Sequence, residues 1–336
     1  MSVSECVVQT DESQLKKSLG AVGLLMLLFT SWGAAAQGWP SRPIRFIVPF
    51  PPGGGTDVNA RIIAPRLAAA LGQQVVVENR PGAGGMVGTE FVAKSAPDGY
   101  NMVIATIGPI AINPSLYAKM NYDPAKDLAP VTITGEVPNG LVVHPTLPAK
   151  TLKELIALAK QRPRELNYGS SGPGAGDHLA AEMLSVMAGI RMTHVPYKGG
   201  PLAMVDLMAG NIQLIFATLA TGMPYIRAGR VRTLAVAGSR RFALLPDVPT
   251  VAEAGVPGFA VNNWAGVFVA GGTPRPVIER LNSEIVRALT PADVRQKLLE
   301  MGLVSGTNTP EEFAAYIKSE TVRWAKIVKD AGIKLD

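Results

Sequence analysis

The sequence contains three loops with glycines and small polar residues that could bind an anion. They read FPPGGGTD (50–57), TIGPIAINPS (106–115) and GSSGPGAGDH (169–178), and each directly follows an apolar run that predicts a strand. Glycines let backbone N–H groups approach a ligand closely, and the N-terminus of a following helix favours negative charge. We therefore expect backbone amides to hold an anion where these loops meet. The alternative is that each loop is an ordinary turn between a strand and a capped helix.

The same loops do not match the motifs of common nucleotide-binding or hydrolytic enzymes. Residues 53–58 and 172–177 lack the last glycine of G-x-G-x-x-G, and the P-loop sequence Gly-Lys-Ser/Thr is absent. Pro173 interrupts a possible G-x-S-x-G nucleophile elbow. The three histidines are far apart in sequence and the one cysteine is Cys6, so no zinc motif is present. We expect no catalysis, no cofactor and no bound metal.

Several polar residues near the loops have open roles. Asp57 could serve the N-terminus of its helix or bind an ammonium group of a ligand. His178 could contact a ligand, or it could cap or pack against the helix that it begins. Lys198 lies in the turn YKGG, where it could attract anions or be solvated. The two glycines of this turn, Gly199 and Gly200, could close on a ligand.

Alternating strands and helices predict how these loops are positioned. The order βαβαβ from Ile44 to Thr106 predicts a mostly parallel sheet with helices on both faces, and a second α/β unit follows in 142–260. Two extended crossovers, near 131–143 and 260–268, would join the units. Ligands of open α/β sheets lie beyond the carboxyl ends of the strands. The predicted fold class is therefore α/β, with two lobes, a ligand cleft and two hinge crossovers.

The N-terminus has the layout of a secretory signal. Lys16 and Lys17 precede an apolar stretch of about a dozen residues and a small-residue site, and we predict cleavage after Ala36. A buried N-terminal helix is the alternative. Cleavage would leave a chain without cysteine, which suits the bacterial periplasm. The predicted organisation is a signal peptide (1–36), the first part of lobe 1 (37–141), lobe 2 (142–260) and a return to lobe 1 with C-terminal helices (261–336).

Charge and composition narrow the class of partner. The chain is 47% hydrophobic and 17% charged, which indicates a globular protein. Its formal charge is +6, but Lys and Arg are spread along the chain and form no basic run. This pattern does not favour nucleic acid as a partner and suits anionic ligands or the surface of a membrane. No segment after the predicted signal reaches 18 apolar residues, so we predict a soluble mature chain.

A series of motifs runs in order along nearly all of 39–336. It comprises Trp39-Pro-x-Arg42-Pro-Ile, IVPFPPGGGTD followed by Ala60-Arg61, VVENRPGAGGMVGTEFVAKSAPDGY, INPSLY, LNYGSSGPGAGDHL, VPYKGG, LPDVPTVAEAG and Arg323-Trp324. The series resembles the Bug-type periplasmic solute-binding proteins of tripartite tricarboxylate transporters. The resemblance implies a type II periplasmic-binding fold and a non-enzymatic carrier. The implied ligand is a small carboxylate: a di- or tricarboxylate, an acidic amino acid or an aromatic acid.

The resemblance also implies a partner and a set of ligand contacts. The partner is a membrane permease with a small and a large subunit, driven by ion gradients, and we expect the carrier to be a monomer. A carboxylate would be held largely by backbone amides and ordered waters of the first and third loops. The residues carried over from these two loops are Gly54, Gly55, Thr56, Asp57, Ser170, Ser171 and Gly174. Further predicted contacts are Phe50, Thr106, Gly108, His178, Lys198, Gly199, Gly200 and Thr218.

Two other functions stay open at the level of the sequence. The same cleft could present its closed form to a two-component sensor kinase instead of a permease. A hydrolase or transferase on a similar fold would need a nucleophile–base pair, and the sequence shows no motif for one. In the carrier reading, the ligand stabilises a closed form by touching both lobes at once.

Overall fold

The computed structural model describes residues 38–333. The predicted signal peptide, its cleavage site after Ala36 and Cys6 lie outside these residues. The chain divides between Ser41 and Arg42 into two compact units, and all the elements below belong to the second. Among the described residues, no helix combines the length and the apolar character that crossing a membrane requires.

Strands in this part of the chain form two sheets. Their bounds are β1 Ile44–Val48, β2 Val75–Asn79, β3 Asn101–Thr106, β4 Leu128–Glu136, β5 Asn139–Val143, β6 Asn167–Ser170, β7 Thr193–Pro196, β8 Leu214–Thr218, β9 Arg232–Val236, β10 Trp264–Ala270 and β11 Val304–Ser305. The first sheet has the order β11-β4-β10-β3-β1-β2, and the second has the order β7-β6-β8-β5-β9. Strand β1 pairs in parallel with β2 and β3, and β6 pairs in parallel with β7 and β8. Each sheet therefore has a parallel core to which antiparallel strands are added.

Helices connect the strands. Their bounds are α1 Gly55–Leu71, α2 Met86–Ala93, α3 Asn113–Leu116, α4 Pro124–Asp127, α5 Leu152–Gln161, α6 Gly176–Ala188, α7 Gly200–Ala209, α8 Leu219–Arg227, α9 Arg275–Leu289, α10 Ala292–Glu300 and α11 Pro310–Ala331. A π-helical turn, Gly108–Ile112, leads into α3. Local signals set several ends: Thr309 and Glu312 form a capping box at the start of α11, and Gly72 ends α1 in the left-handed conformation.

The C-terminal helix α11 packs on the first sheet. Phe313 is fully buried, and its ring lies 5.1 Å from that of Phe268 and 5.5 Å from that of Trp264. Gly266 makes this packing possible, because a Cβ atom there would lie 2.2 Å from the Phe313 ring. Every residue of β10, which lies between β3 and β4 in the sheet, is buried.

Two crossovers join the sheets and lie side by side. After β4 the chain passes through Val137 and Pro138 into β5, and after β9 it returns through 237–263 into β10. The amide of Val137 donates to the carbonyl of Asn263 (2.8 Å), and the Asn263 side chain donates to the Asn139 side chain (3.2 Å). The predicted α/β class with two sheets and two connecting crossovers is confirmed. The first strand of the second sheet begins at Asn139, and the domain boundaries given above stay predictions.

Candidate ligand-binding site

A cavity lies where the loops of the two sheets meet. It is reached by loops that follow β1, β3, β6, β7 and β8, at the carboxyl ends of these strands, and its remaining walls come from the crossovers. The lining residues are Phe50, Gly54, Gly55, Thr56, Thr106, Val137, Asn139, Ser171, Ala175, Gly176, Asp177, Gly200, Pro201, Thr218, Thr221 and Asn263. The position agrees with the general location of ligands in open α/β sheets.

The cavity brings together about half of the residues that the sequence indicated. Those that line it are Phe50, Gly54, Gly55, Thr56, Thr106, Ser171, Gly200 and Thr218. Those that do not line it are Asp57, Gly108, Ser170, Gly174, His178, Lys198 and Gly199. Lys198 is exposed in its turn, whereas Ser170 and Gly199 are buried beside the cavity wall. A ligand-binding role for the lining residues remains a prediction.

Three helices begin at the cavity without a side-chain cap. Helix α1 starts at Gly55, α6 at Gly176 and α7 at Gly200, and all three residues line the cavity. Their N-cap residues, Gly54, Ala175 and Gly199, have no side chain that accepts a hydrogen bond. The first amides of a helix have no partner within it, and the helix dipole makes this end positive. The cavity is therefore bordered by three positive helix ends whose first amides have no partner within the helix; in α6, the third amide donates to the side chain of Asp177.

Asp57 fixes the first loop from behind. Its carboxylate accepts hydrogen bonds from the amide of Gly53 (3.0 Å), the side chain of Asn79 (2.9 Å) and Nε of Arg61 (3.0 Å). Burial alone would raise the pKa of Asp57, but these hydrogen bonds outweigh it and hold the pKa below its usual value. Of its two open roles, the contacts favour the structural one, because Arg61 already provides the positive partner.

Asp177 plays the corresponding part in the third loop. One oxygen of its carboxylate accepts from the amide and the hydroxyl of Ser171, both at 2.7 Å, and the other accepts from the amide of His178 (2.9 Å). Burial raises the pKa of Asp177 to about 6 against the effect of these hydrogen bonds. In the described part of the chain it is the one ionisable side chain that lines the cavity. No Lys or Arg of that part contributes to the wall.

A cluster of aromatic and polar groups packs behind the third loop. The rings of His178 and His194 lie 4.2 Å apart, and Tyr168 stacks on His194 at 4.9 Å. Nδ1 of His178 accepts a hydrogen bond from the amide of Gly174 (3.3 Å). Burial lowers the pKa of His178 to about 3 and that of His194 to about 4. Both imidazoles are therefore neutral at pH 7, and His178 supports the loop from a position outside the cavity wall.

The structure also contains a serine–histidine pair that the sequence did not reveal. Oγ of Ser170 lies 2.6 Å from Nε2 of His194. The parallel pairing of β6 with β7 brings these residues together, although 24 positions separate them in the chain. Ser170 is fully buried, accepts a hydrogen bond from the amide of Gly172 and does not line the cavity. The pair is thus placed to hold the loop, and a ligand contact of Ser170 stays a prediction.

Sequence reasoning missed the part of the wall that comes from the crossovers and from α8. These residues are Val137, Asn139, Thr221 and Asn263, and Asp177 was quoted only within its loop. The crossovers themselves were predicted, and polar residues within them were the available signal. No group of three or more His, Cys, Asp or Glu residues within 38–333 is arranged to hold a metal ion.

A family model, curated relatives and solved structures all match this chain over most of its length. A model of the tripartite tricarboxylate transporter family receptor matches residues 59–333. Protein BugT of Bordetella pertussis is 39% identical over 302 residues, which make up 90% of this chain and 93% of BugT. Among solved structures, R. palustris Rpa4515 with adipate has a TM-score of 0.85 at 40% identity and covers 88% of this chain and 99% of its own. MatC from Rhodopseudomonas palustris with bound malate has a TM-score of 0.83 at 33% identity, with 86% and 100% covered.

The buried histidines predict that acid destabilises the fold. Their folded-state pKa values lie below the usual 6.5, so the unfolded chain binds more protons between about pH 4 and 6.5, and stability falls as the pH falls through this window. Asp177 acts in the opposite direction, because its pKa of about 6 exceeds the usual 3.8 and its contribution is lost as the pH rises. The two histidines together outweigh Asp177. The free energy of unfolding in urea should therefore decrease from pH 7 to pH 5.

Variants separate these contributions. His194→Gln should make the pH dependence of the unfolding free energy shallower, and Asp177→Asn should make it steeper. Urea titrations at several pH values measure both slopes, whatever the change in absolute stability. A His194→Gln slope parallel to that of the unmodified protein would show that the imidazole cluster does not control the acid response.

Proposed function

The chain belongs to the tripartite tricarboxylate transporter receptor family, and we propose that it binds a small carboxylate in the cavity between its two sheets. One observation carries the proposal. Three helix N-termini, at Gly55, Gly176 and Gly200, converge on a cavity to which no cationic side chain of residues 38–333 contributes. Such an arrangement favours an anion through backbone amides.

The remaining wall suits a small carboxylate. Hydroxyl groups of Thr56 and Thr106 border the cavity near the helix ends, and they can donate to carboxylate oxygens directly or through water, whereas Ser171 donates its hydroxyl to Asp177. Val137 and Phe50 supply apolar surface for a short carbon chain. The combination of few donors with apolar walls is typical of a small-molecule site. The adipate and malate named for the two solved relatives belong to this chemical class.

Contacts across the cavity support capture by closure. A Cβ atom on Gly108, beside the first sheet, would lie 2.5 Å from the carbonyl oxygen of Gly174, beside the second. A Cβ atom on Gly199 would lie 2.3 Å from Pro51 in the same way. These loops touch so closely that only glycine fits between them. A ligand that contacts both sides would stabilise this closed arrangement, and release would require the loops to separate.

The family relationship extends the proposal to export and delivery. In this account the N-terminal signal directs the chain to the periplasm, where it acts as a monomer and passes its ligand to a membrane permease with a small and a large subunit. The chemistry of the cavity favours binding over catalysis. Its one ionisable lining residue, Asp177, is engaged by Ser171 and His178, and the Ser170–His194 pair lies outside the wall.

A thermal-shift screen tests the carboxylate claim. The purified protein is unfolded and refolded to release any bound molecule, then heated with dicarboxylates, tricarboxylates, acidic amino acids, aromatic acids, sugars and cations. A ligand at about 100 times its Kd adds roughly 2.7 kcal/mol to the stability, which raises the Tm by several degrees. We expect a shift confined to carboxylates. A shift with a sugar or a cation, and none with any carboxylate, would contradict the proposal.

Gly108→Ala tests closure separately. Gly108 does not adopt a left-handed conformation, so alanine introduces no backbone strain and only a clash with the backbone of the opposite loop. We expect the affinity for the carboxylate found in the screen to fall roughly five- to 150-fold, since overpacking costs about 1–3 kcal/mol. The matched control is Gly306→Ala, where the nearest atom to the new Cβ would be 3.8 Å away and affinity should be retained. Calorimetric titration measures the affinity of both variants for the carboxylate. A Gly108→Ala affinity equal to that of the unmodified protein would contradict the closure contact.

A further inference from the structure

One buried acceptor in the cavity has no partner. Asn263 lines the cavity and is only 6% exposed, and its Oδ1 atom makes no hydrogen bond to any group in the described part of the chain. A buried carbonyl oxygen without a donor costs stability, so protein structures rarely retain one. In a cavity that binds ligands, the missing donor can come from the ligand itself.

The orientation of the Asn263 amide follows from a chain of hydrogen bonds. The carbonyl oxygen of Phe216 can only accept, so the atom of Asn139 that lies 2.7 Å from it is the amide nitrogen. The other end of the Asn139 side chain is then an oxygen, and it accepts from Nδ2 of Asn263 at 3.2 Å. This leaves Oδ1 of Asn263 as the free end. The assignment rests on the network and not on the choice of rotamer alone.

The free oxygen lies next to a predicted carboxylate position. A Cβ atom on Gly176 would be 3.2 Å from Oδ1 of Asn263, so the oxygen is beside the first residue of α6. The backbone of Asn263 is itself fixed, because its carbonyl accepts from the amide of Val137 (2.8 Å). An acceptor at a fixed position thus borders donors that favour a negative charge. The arrangement matches a molecule with a donor group a short distance from its carboxylate.

We propose that Oδ1 of Asn263 accepts a hydrogen bond from a hydroxyl or ammonium group that the ligand carries next to one of its carboxylates. The inference rests on the proposed function and narrows the ligand to hydroxy- or aminocarboxylates. Asp177, close by, already accepts from Ser171 and His178, whereas Oδ1 of Asn263 accepts from no group in the described part of the chain.

The expected consequence is discrimination by one functional group. An analogue that lacks the donor leaves the acceptor buried and unpaired, and sites built for a hydrogen bond reject such analogues strongly. A hydroxylated or aminated acid should therefore bind at least about tenfold more tightly than the unsubstituted acid of the same length. Asn263 would then be a residue that determines specificity.

Calorimetric titration with matched pairs measures this ratio. The probes are four-, five- and six-carbon dicarboxylates, each unsubstituted, with a 2-hydroxyl group and with a 2-amino group. Tighter binding of the substituted acid of at least one length supports the inference, and comparison of hydroxyl with amino identifies the donor. Equal or tighter binding of the unsubstituted acid at every length would overturn it.

Variants assign the discrimination to Asn263. Asn263→Leu should bring the substituted and unsubstituted acids to similar Kd values, mainly by weakening the binding of the substituted acid. A merely structural role of Asn263 would weaken the binding of both acids equally. The control is Asn262→Ala, because the Asn262 side chain accepts from the amide of Ser239 (3.0 Å) and does not line this cavity. An unchanged ratio of the two Kd values in Asn263→Leu would overturn the assignment. If that variant fails to fold, the Kd ratio in the unmodified protein still tests whether the site prefers the substituted acid.

The outcomes also separate this inference from the proposed function. If other carboxylates shift the Tm but none of the substituted acids binds, the carboxylate receptor stands and the role of Asn263 falls. If no carboxylate binds at all, both fall.

Discussion

Backbone amides without a side-chain cap are the feature on which the rest of this structure depends. At Gly55, Gly176 and Gly200 the first turn of a helix presents donors to one cavity, and no cationic side chain in residues 38–333 shares the task. Such donors act only at short range, so in the proposed site the backbone must come close to the anion. That requirement explains why the loops are rich in glycine and why the N-caps lack the usual Ser, Thr, Asp or Asn.

Two carboxylates stabilise the loops where N-cap side chains usually do so. Asp57 and Asp177 each accept a hydrogen bond from an amide of their own loop, that of Gly53 and that of Ser171, and so hold the loop in shape. Asp177 also accepts from the amide of His178, in the first turn of α6. The imidazoles behind the third loop add support in a neutral state. Rigid loops lose less entropy on binding, which raises affinity without additional contacts. The crossovers complete the site, because Asn139 and Asn263 hydrogen-bond to each other in its wall.

The sequence was sufficient for features that depend on local signals. Alternating apolar runs and helix caps predicted the α/β class, and glycine-rich segments after strands predicted which loops meet. The sequence was insufficient where contacts join distant positions. Neither the Ser170–His194 pair nor the Asn139–Asn263 bond has a motif, because pairing of strands and crossovers creates each of them. Lys198 stays a prediction: its position after a strand suggested either an anion contact or a solvated side chain, and the structure places it exposed and outside the cavity wall.

The most direct test of the central claim is a crystal structure of the protein with the carboxylate that shifts its Tm most. The account predicts carboxylate oxygens within about 2.7–3.2 Å of amide nitrogens at the starts of α1 and α6, or one water away from them. A carboxylate held instead by a Lys or Arg side chain, or bound outside the cavity, would contradict recognition by the helix ends.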